Sequence, residues 1–340
     1  MLQIIFDRKF SKNKHFFNEG FKLFFIFLLI LFTTCANDNI YKNHPKWQYN
    51  YILYKSYKSL YRENKNYVLD FKSGDTILDT KKLMNKEIAI FHNSKLSVIS
   101  EEIKKNKSLK CLILNGTNLK SFPQVIFEMP QLIRLDFAFS CNTDRNDSFI
   151  EFKKLRNLEL LSLSSCSLND LPEPITELHR LKYLNLSQNK IGDFSCKVGK
   201  LDSLIELNLS WNKIQILPKE IANLCFLEIL NLSCNKITSF PFVITSLYKL
   251  QEIDLSNNDI KELPVEILNL KNLRTINLMS NSKFHLSKEF AIKLKKHLPY
   301  LEEIDLVGTF HSDKEIKELM TIPKLKIIFH VFCGTNTYNN

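Results

Sequence analysis

Glycine is scarce in this chain, and its scarcity removes one class of ligand site. Only 7 of the 340 residues are glycine, and neither GxGxxG nor GxxxxGK[ST] occurs. Loops that wrap phosphate groups use glycine where the backbone must approach the ligand closely. The sequence therefore predicts no nucleotide-type cofactor.

Paired metal-ligating and catalytic residues are also missing. The 8 Cys form no CxxC, and the 8 His include no HExxH. These absences argue against a zinc ribbon, a redox dithiol and a zinc-protease site. No Ser/His/Asp frame can be assigned, and the short stretch after Leu306 is too small for a catalytic domain. We expect no enzyme, no metal site, no cofactor and no small-molecule substrate.

Dense runs of basic residues are absent, although the net charge is +11. The lysines are scattered, so the charge favours acidic surfaces in general and does not predict nucleic-acid binding. The apolar fraction of 44% and the charged fraction of 24% are ordinary for a globular chain. The composition therefore predicts a folded protein whose partners are not nucleic acids.

One uncharged apolar run is present near the N-terminus. Residues 23–36 read LFFIFLLILFTTCA and follow the basic residues Lys9, Lys12, Lys14 and Lys22. A bilayer-spanning helix needs about 20 apolar residues, so this run fits the apolar region of a signal peptide better. We expect export, and an uncleaved signal-anchor is the alternative.

The end of this run allows two modes of processing. Leu31 to Cys35 read LFTTC, which resembles the lipobox of bacterial lipoproteins, although that family prefers Leu at Phe32 and a smaller residue at Thr34. The resemblance implies lipidation of Cys35, with acyl chains that would anchor the protein in a membrane. Ordinary cleavage after Ala36, giving a soluble secreted protein, is the other mode.

A Tyr-rich basic stretch follows and holds 7 of the 11 Tyr (Tyr41–Tyr67). Leu53, Tyr57, Leu60 and Tyr61 share a helical face. The stretch is interpreted either as an amphipathic helix that packs on the next domain or as an interfacial segment in a lipid headgroup layer.

A repeat occupies most of the remaining chain. The frame LxxLxLxxN recurs every 23 residues from Leu181 to Leu273, with related copies at Leu109, Leu132 and Leu158 and a last one at Leu301. The copy at Leu132 is stretched by CNTDRNDS. Alternation in LxL predicts a short strand in each copy, and stacked copies predict a parallel sheet.

This pattern resembles the leucine-rich repeat in its 23-residue LPxxI subtype. The resemblance implies an α/β repeat solenoid, with a parallel sheet on the concave face and short helical turns on the convex face. We expect a signal peptide or anchor in residues 1–36 and a Tyr/Lys-rich segment and cap in 37–87. About eight to nine repeats would occupy residues 88–310, with a C-terminal cap and tail in 311–340.

The polar residue at the ninth position of each copy is expected to be structural. Its buried amide can satisfy backbone groups that the turn after the strand leaves unpaired. Cys166 takes this slot in one copy, where we expect a small apolar residue or weak donor. The Asn residues in this slot are Asn189, Asn212, Asn235, Asn258 and Asn281.

Trp211 stands at the eighth position, where the other copies carry mostly small polar residues. This slot faces outward, so the indole is interpreted either as a binding hot spot or as a cover for its neighbours. The Asn and Ser columns beside it are interpreted as a generic solvated face. Departures from those columns predict a ligand-binding patch on neighbouring strands of the concave face: Tyr183, Glu206, Trp211, Ile229 and Glu252.

The sequence therefore predicts a non-enzymatic module that binds a protein or peptide, at the bacterial cell envelope or in secreted form. The acidic members of the patch would suit a basic ligand segment in a chain of net charge +11. Two alternatives remain. One is a membrane-associated cytoplasmic scaffold in signalling, and the other is an envelope protein whose repeats only space or cover.

Overall fold

The computed structural model describes residues 68–71, 84–91, 96–117, 119, 121–138 and 146–329. Across these residues one sheet of twelve parallel strands runs in chain order, each strand bonded to the next. The strands are β1 Val68–Phe71, β2 Ile88–Phe91, β3 Cys111–Ile113, β4 Arg134–Asp136, β5 Leu160–Ser162, β6 Tyr183–Asn185, β7 Glu206–Asn208, β8 Ile229–Asn231, β9 Glu252–Asp254, β10 Thr275–Asn277, β11 Glu303–Asp305 and β12 Lys326–Ile328.

The register of the sheet follows the repeat. Leu184 lies opposite Leu207, and Leu207 lies opposite Leu230, so residues one repeat apart become neighbours. Because side chains alternate along a strand, these leucines all point into the core while the residues flanking them point to the other face. The predicted leucine-rich-repeat solenoid of α/β type is confirmed.

Short 3₁₀ helices return the chain on the far side of the core. Pro123, Pro172, Pro218, Pro241 and Pro264 each precede the first residue of one of these helices. Proline suits this place because it fixes φ and has no N–H to satisfy. The helices are Glu101–Lys105, Gln124–Glu128, Asn146–Lys154, Glu173–Glu177, Cys196–Lys200, Lys219–Asn223, Phe242–Ser246 and Val265–Asn269.

The core between sheet and helices is continuous. Near the stretched copy that starts at Leu132, phenylalanines fill it. The stretched copy brings five buried phenylalanines together. Ring centroids of Phe122 and Phe137 lie 4.7 Å apart, and those of Phe122 and Phe152 lie 4.9 Å apart. The aromatic cluster fills the extra space that the additional residues of this copy enclose.

The regular pattern changes after β10. The unit that starts at Leu273 contains an α-helix, α1 (Lys288–His297), in place of a 3₁₀ turn, because it has five more residues. A second helix, α2 (Asp313–Met320), begins with a capping box between Ser312 and Glu315. The alternating segment LKIIFHV (residues 325–331) contains β12, which pairs with β11.

The ninth-position asparagines form a continuous hydrogen-bonded ladder. The Asn212 Nδ2 donates to the carbonyl oxygens of Leu186 and Leu209, at 3.0 Å each. Its Oδ1 accepts the N–H of Ile191 from the preceding unit at 3.0 Å. The same bonds recur at every following copy, so each amide satisfies backbone groups of two units. We call this set the Asn ladder: Asn189, Asn212, Asn235, Asn258 and Asn281.

Cys166 differs from its expected role. It is fully buried in the slot of the Asn ladder and is disulfide-bonded, with its partner outside the described residues. It is therefore a covalent link and not the small apolar residue that the sequence suggested. Asn189 in the next unit still accepts the N–H of Cys166 at 3.0 Å.

Several sequence predictions lie outside the described residues. They include the apolar run with Cys35, the Tyr-rich stretch and most of the CNTDRNDS insertion. Within the residues that are described, no helix is both long enough and apolar enough to cross a bilayer.

Candidate ligand-binding face

Four of the five predicted patch residues lie side by side on the outer face of the sheet. Tyr183 pairs with Glu206, Glu206 with Ile229, and Ile229 with Glu252. Each is half-buried. Their Cα atoms therefore follow one another at the spacing of hydrogen-bonded strands, about 4.8 Å. We call the part of this row from β6 to β12 the outer column: Tyr183, Glu206, Ile229, Glu252, Thr275, Glu303 and Lys326.

The row two residues further along each strand is not the solvated face that the sequence suggested. Asn185, Asn208 and Asp254 are buried, at 3–7% exposure. The Oδ1 of Asn208 accepts the N–H of Ser210 at 3.0 Å and its hydroxyl at 2.7 Å. These short side chains bond to the backbone just after each strand. Their polar atoms are therefore mostly engaged within the protein, and few remain for a ligand.

Trp211 adopts a backbone conformation that is unfavourable for its side chain. Its φ is +56°, in the left-handed region, and 45% of the residue is exposed. A left-handed residue other than glycine costs about 1–2 kcal/mol, and bulky residues are uncommon there. The repeat imposes this conformation, because the equivalent residues also have positive φ: Gly116, Ser165, Gln188, Cys234, Asn257, Ser280 and Gly308. Trp211 therefore keeps a large exposed ring at a position where glycine or asparagine would fit with less strain.

The structure separates Trp211 from the other patch residues. It follows the end of β7, five positions after Glu206 along the same strand and turn. Because β7 ends at Asn208 and the chain then turns, the two positions are closer than the about 16 Å that five extended residues would span. Asn208 and Ser210 lie between them, bonded to each other. A ligand that contacts both Glu206 and Trp211 must therefore extend from the start of β7 into the turn that follows it.

The surroundings of Glu206 disfavour the ionised form of its carboxyl group. Burial raises the pKa of this carboxyl to about 7, and the nearby charge of Glu252 raises it further. No hydrogen bond or cation within the described residues lowers it. At neutral pH Glu206 is therefore only partly ionised and titrates in the range where a ligand charge can shift it.

Asp254 has a related but better compensated environment. Burial raises its pKa to about 6, while hydrogen bonds from Ser256 and Asn277 lower it. Burial likewise raises the pKa of the Cys234 thiol, next to Trp211 in the turn row, to about 12. Cys234 therefore remains protonated and does not act as a thiolate.

The outer column also contains an ion pair that the sequence frame did not reveal. Glu303 Oε2 lies 2.8 Å from Nζ of Lys326 on the next strand. The repeat frame ends at Leu306, so Lys326 could not be assigned to the column by spacing. The alternating LKIIFHV strand was the available signal, because a strand in register with β11 places Lys326 beside Glu303.

The N-terminal part of the same face is mostly apolar, and β4 contributes two ionisable residues, Arg134 and Asp136. Ile88, Ile90, Cys111 and Ile113 occupy it and are each less than 8% exposed. Burial raises the pKa of the Cys111 thiol to about 12, so it is not a nucleophile. The outer column is half-buried in each strand from β6 to β11, and the candidate patch lies there.

The described residues contain no group of three or more His, Cys, Asp or Glu placed to hold a metal ion. The polar side chains of the sheet face are distributed over several strands, as they are on the extended surfaces with which repeat proteins bind macromolecules.

Comparison with known proteins agrees with this geometry. Two family profiles described as leucine rich repeat match residues 203–224 and 225–282. The leucine-rich-repeat protein LIC12759 of Leptospira interrogans is 30% identical, with a TM-score of 0.61 and 75% coverage of both chains. The chain belongs to the leucine-rich-repeat family. No curated protein matches it.

More distant leucine-rich-repeat structures share the fold alone. The functional domain of InlJ from Listeria monocytogenes is 17% identical with a TM-score of 0.55, over 78% of this chain and 54% of that one. A plant peptide hormone receptor, RGFR1, solved in complex with RGF2, is 20% identical with a TM-score of 0.50, over 74% and 49%. Leucine-rich-repeat domains generally act as interaction scaffolds, and the family match supports a protein-interaction module.

Proposed function

We propose that this leucine-rich-repeat protein binds a protein or peptide segment through the outer face of β6–β9 and performs no chemistry on it. Trp211 is the observation that carries the proposal. It exposes a large ring in a turn slot that has positive φ throughout the described repeats and whose other occupants are glycine, serine, asparagine, glutamine or cysteine. An exposed Trp beside a sheet face is typical of binding hot spots.

The shape of the patch favours a peptide over a small molecule. The outer column and Trp211 lie at opposite ends of β7 and its turn, and the bonded Asn208–Ser210 pair separates them. A plant leucine-rich-repeat receptor is solved with its peptide hormone, which shows that the fold can serve this purpose in that protein. Nucleic acid is a poor candidate because the patch contains carboxylates and no cation.

We propose further that the protein works outside the cytoplasm, at a bacterial cell envelope or in secreted form. The apolar run before Cys35 supports export, and lipidation of Cys35 would anchor the mature chain. The disulfide of Cys166 supports an oxidising compartment, because structural disulfides are rare in reducing cytosol.

The binding proposal is tested by selection from a random dodecapeptide display library. Immobilised wild-type protein is compared with Trp211→Ala and with Phe242→Ala, a control that removes an exposed aromatic from a 3₁₀ helix on the far side. We expect the wild type and the Phe242→Ala variant to select the same peptides and the Trp211→Ala variant to lose them. Equal selection by all three proteins would disprove binding at this face.

The export proposal is tested by intact mass of the native protein, with Cys35→Ala as its variant. A chain that starts at Cys35 and carries acyl groups supports the anchored form, and a chain that starts at Asn37 supports secretion. Alkylation before and after reduction should show one disulfide that includes Cys166. A full-length, fully reduced chain in the cytosol would disprove export and favour the scaffold alternative.

A further inference from the structure

Three lysines form a row on the turns that follow the strands. Lys190, Lys213 and Lys236 hold the tenth position of three consecutive units, and each is exposed. The N–H of Lys213 donates to the Ile191 carbonyl at 2.7 Å. The N–H of Lys236 donates to the Ile214 carbonyl at 2.9 Å. Because hydrogen-bonded turns stack as the strands do, the three positions are about 5 Å apart. We call these three residues the lysine row.

Trp211 lies in the middle unit of the lysine row. It comes two residues before Lys213, and the buried Asn212 of the Asn ladder stands between them. Its N–H donates to the Ser233 carbonyl of the next unit at 2.9 Å, so its slot is stacked in the same way as the lysine row. A ligand that covers the indole therefore meets an ammonium group in the same unit and one in the unit on either side.

The positive charges of the lysine row are not paired within the described part of the chain. None of the three side chains forms an ion pair or a hydrogen bond there. Elsewhere on the repeats such charges are paired between neighbouring units. Lys182 Nζ lies 3.1 Å from Glu159 Oε2, and Lys197 Nζ lies 2.6 Å from Glu173 Oε2. Like charges at the spacing of neighbouring strands repel, so an anion bound on the lysine row would relieve that repulsion.

The basic stretch is confined to three units. Asp259 holds the tenth position of the unit that follows, and Ser167 holds that of the unit before. Asp193 lies three residues after Lys190, and both aspartates are exposed and form no ion pair with the lysine row. The lysines are therefore centred on Trp211 and do not continue along the solenoid.

Apolar side chains lie on both sides of the lysine row, which favours a peptide as its ligand. Ile216 lies three residues after Lys213 and is 80% exposed, while Trp211 precedes Lys213. The equivalents of Ile216 in the two neighbouring units are Asp193 and Ser239, so this apolar group belongs to the Trp211 unit alone. A peptide supplies carboxylates for the lysines together with apolar side chains for the indole and the isoleucine.

We propose that the ligand segment on Trp211 is an acidic peptide whose Asp or Glu side chains pair with the lysine row. The inference rests on the proposed function and deepens it, because it gives the segment a charge and a direction. Glu206 lies at the start of β7 and the lysine row lies beyond its end, so the acidic part of the ligand faces the turns. Each carboxylate there forms a charge-assisted hydrogen bond with an ammonium group.

Binding of this kind weakens as salt is added. The lysine row is exposed, so dissolved ions screen its attraction for carboxylates. We expect the affinity of a selected peptide to fall about tenfold between about 0.05 M and about 0.5 M NaCl. A protein without the lysine row should bind the peptide weakly at both salt concentrations, with most of this dependence lost.

The experiment uses the dodecapeptide library with the full chain and three variants. The row variant removes the lysine row: Lys190→Gln, Lys213→Gln and Lys236→Gln. The matched control removes the same charge from exposed lysines in helices on the far side: Lys200→Gln, Lys219→Gln and Lys293→Gln. Trp211→Ala reports on the face as a whole. Circular dichroism of each variant establishes that it is folded before selection.

We expect the wild type and the matched control to enrich peptides that contain Asp or Glu, and the row variant to lose that enrichment. Replacing these residues by Asn or Gln in a synthetic peptide should weaken binding at least about tenfold. An equal loss of enrichment in the matched control would assign the effect to net charge and overturn the inference.

Two further outcomes would overturn the inference and leave the proposed function standing. One is a set of peptides that depend on Trp211 but show no excess of acidic residues. The other is tighter binding of a single-stranded DNA oligonucleotide than of any selected peptide at the lysine row. Selection unaffected by Trp211→Ala would overturn both the inference and the proposed function.

Discussion

The Asn ladder and the outer column are built from the same repeat, yet they follow opposite rules. In the ladder, one amide serves as donor and acceptor for backbone groups of two units, as at Asn212. In the outer column, the carboxylate of Glu206 has no such hydrogen-bonding role toward the backbone. It is half-buried, and a second carboxylate, Glu252, lies two strands away. The ladder therefore repeats one residue type, while the column varies from aromatic to apolar to acidic.

The difference shows where this fold leaves room for specificity. A ladder residue has no free hydrogen-bonding atom to offer, because its amide is committed to the main chain. A column residue affects folding mainly through its desolvation, so its identity is free to follow a ligand. Predictions that separate the two regions follow from this contrast.

Breaking the ladder should have the largest effect. The Asn212→Ala variant leaves the Ile191 N–H and the Leu186 and Leu209 carbonyls without their partner. We expect the free energy of unfolding to fall by about 3 kcal/mol, the upper range for buried groups left unpaired. Urea unfolding followed by circular dichroism measures it. The exposed Asn272→Ala serves as control, and an equal loss there would contradict the ladder's role.

Removing a column charge should instead stabilise the protein. The pKa of Glu206 is raised to about 7 in the folded chain, so folding favours its protonated form and stability falls as pH rises from about 4.5 to about 7. The Glu206→Gln variant should gain about 1–2 kcal/mol at about pH 8 and nothing at about pH 4. Urea unfolding at both pH values measures this gain. A pH-independent gain would show that the carboxylate charge is not its cause.

At the C-terminal end of the solenoid a histidine accepts a backbone N–H, as the Asn ladder does, and this makes the stability of that end sensitive to acid. His311 Nε2 accepts the N–H of Leu286 at 2.9 Å, so that nitrogen must be deprotonated. Burial lowers the pKa of His311, and the nearby His285 lowers it further. Stability is therefore complete above about pH 6.5 and declines as pH falls below it.

The expected loss is about 1 kcal/mol, the net value of one hydrogen bond. Amide exchange of Leu286 between about pH 7.5 and about pH 5.5 reports on this bond directly. In His311→Asn the decline over that range should be absent. An unchanged decline in this variant would assign the acid sensitivity to other groups.

The smallest effect is expected at Trp211. The Trp211→Asn substitution places a residue that tolerates the left-handed region at φ +56°, which relieves strain but removes ring contacts. We expect a net gain of about 0.5 kcal/mol in the free energy of unfolding together with loss of peptide binding. Thermal unfolding and the peptide selection measure the two quantities on the same sample. A large destabilisation would make Trp211 a structural residue.

Local spacing was enough to predict most of the fold. The alternation around Leu184 and Leu207 indicates strands, the period of 23 residues aligns them, and the Asn after each strand marks the turn. These features depend on residues within one copy and its neighbour. The α1 and α2 helices and the pairing of β12 were harder to predict because they occur where the frame ends.

The candidate site was predicted only in part. Membership of the outer column follows from the repeat, so Tyr183, Glu206, Ile229 and Glu252 could be placed together from spacing alone. Their separation from Trp211 depends on strand length, and the burial of Asn185 and Asp254 depends on how their side chains bond to the next residues. Neither the separation nor the burial can be derived from the spacing of residues in the sequence.

The sequence by itself determined the repeat, the direction of each side chain along a strand and the residues that the turn requires, because these follow from backbone geometry over a few residues. Only the tertiary structure decided which outer-face residues remain accessible. It also raised the pKa of Glu206, joined Glu303 to Lys326 and gave Cys166 a disulfide. Such properties depend on distances between residues far apart in the chain and on the solvent that their packing excludes.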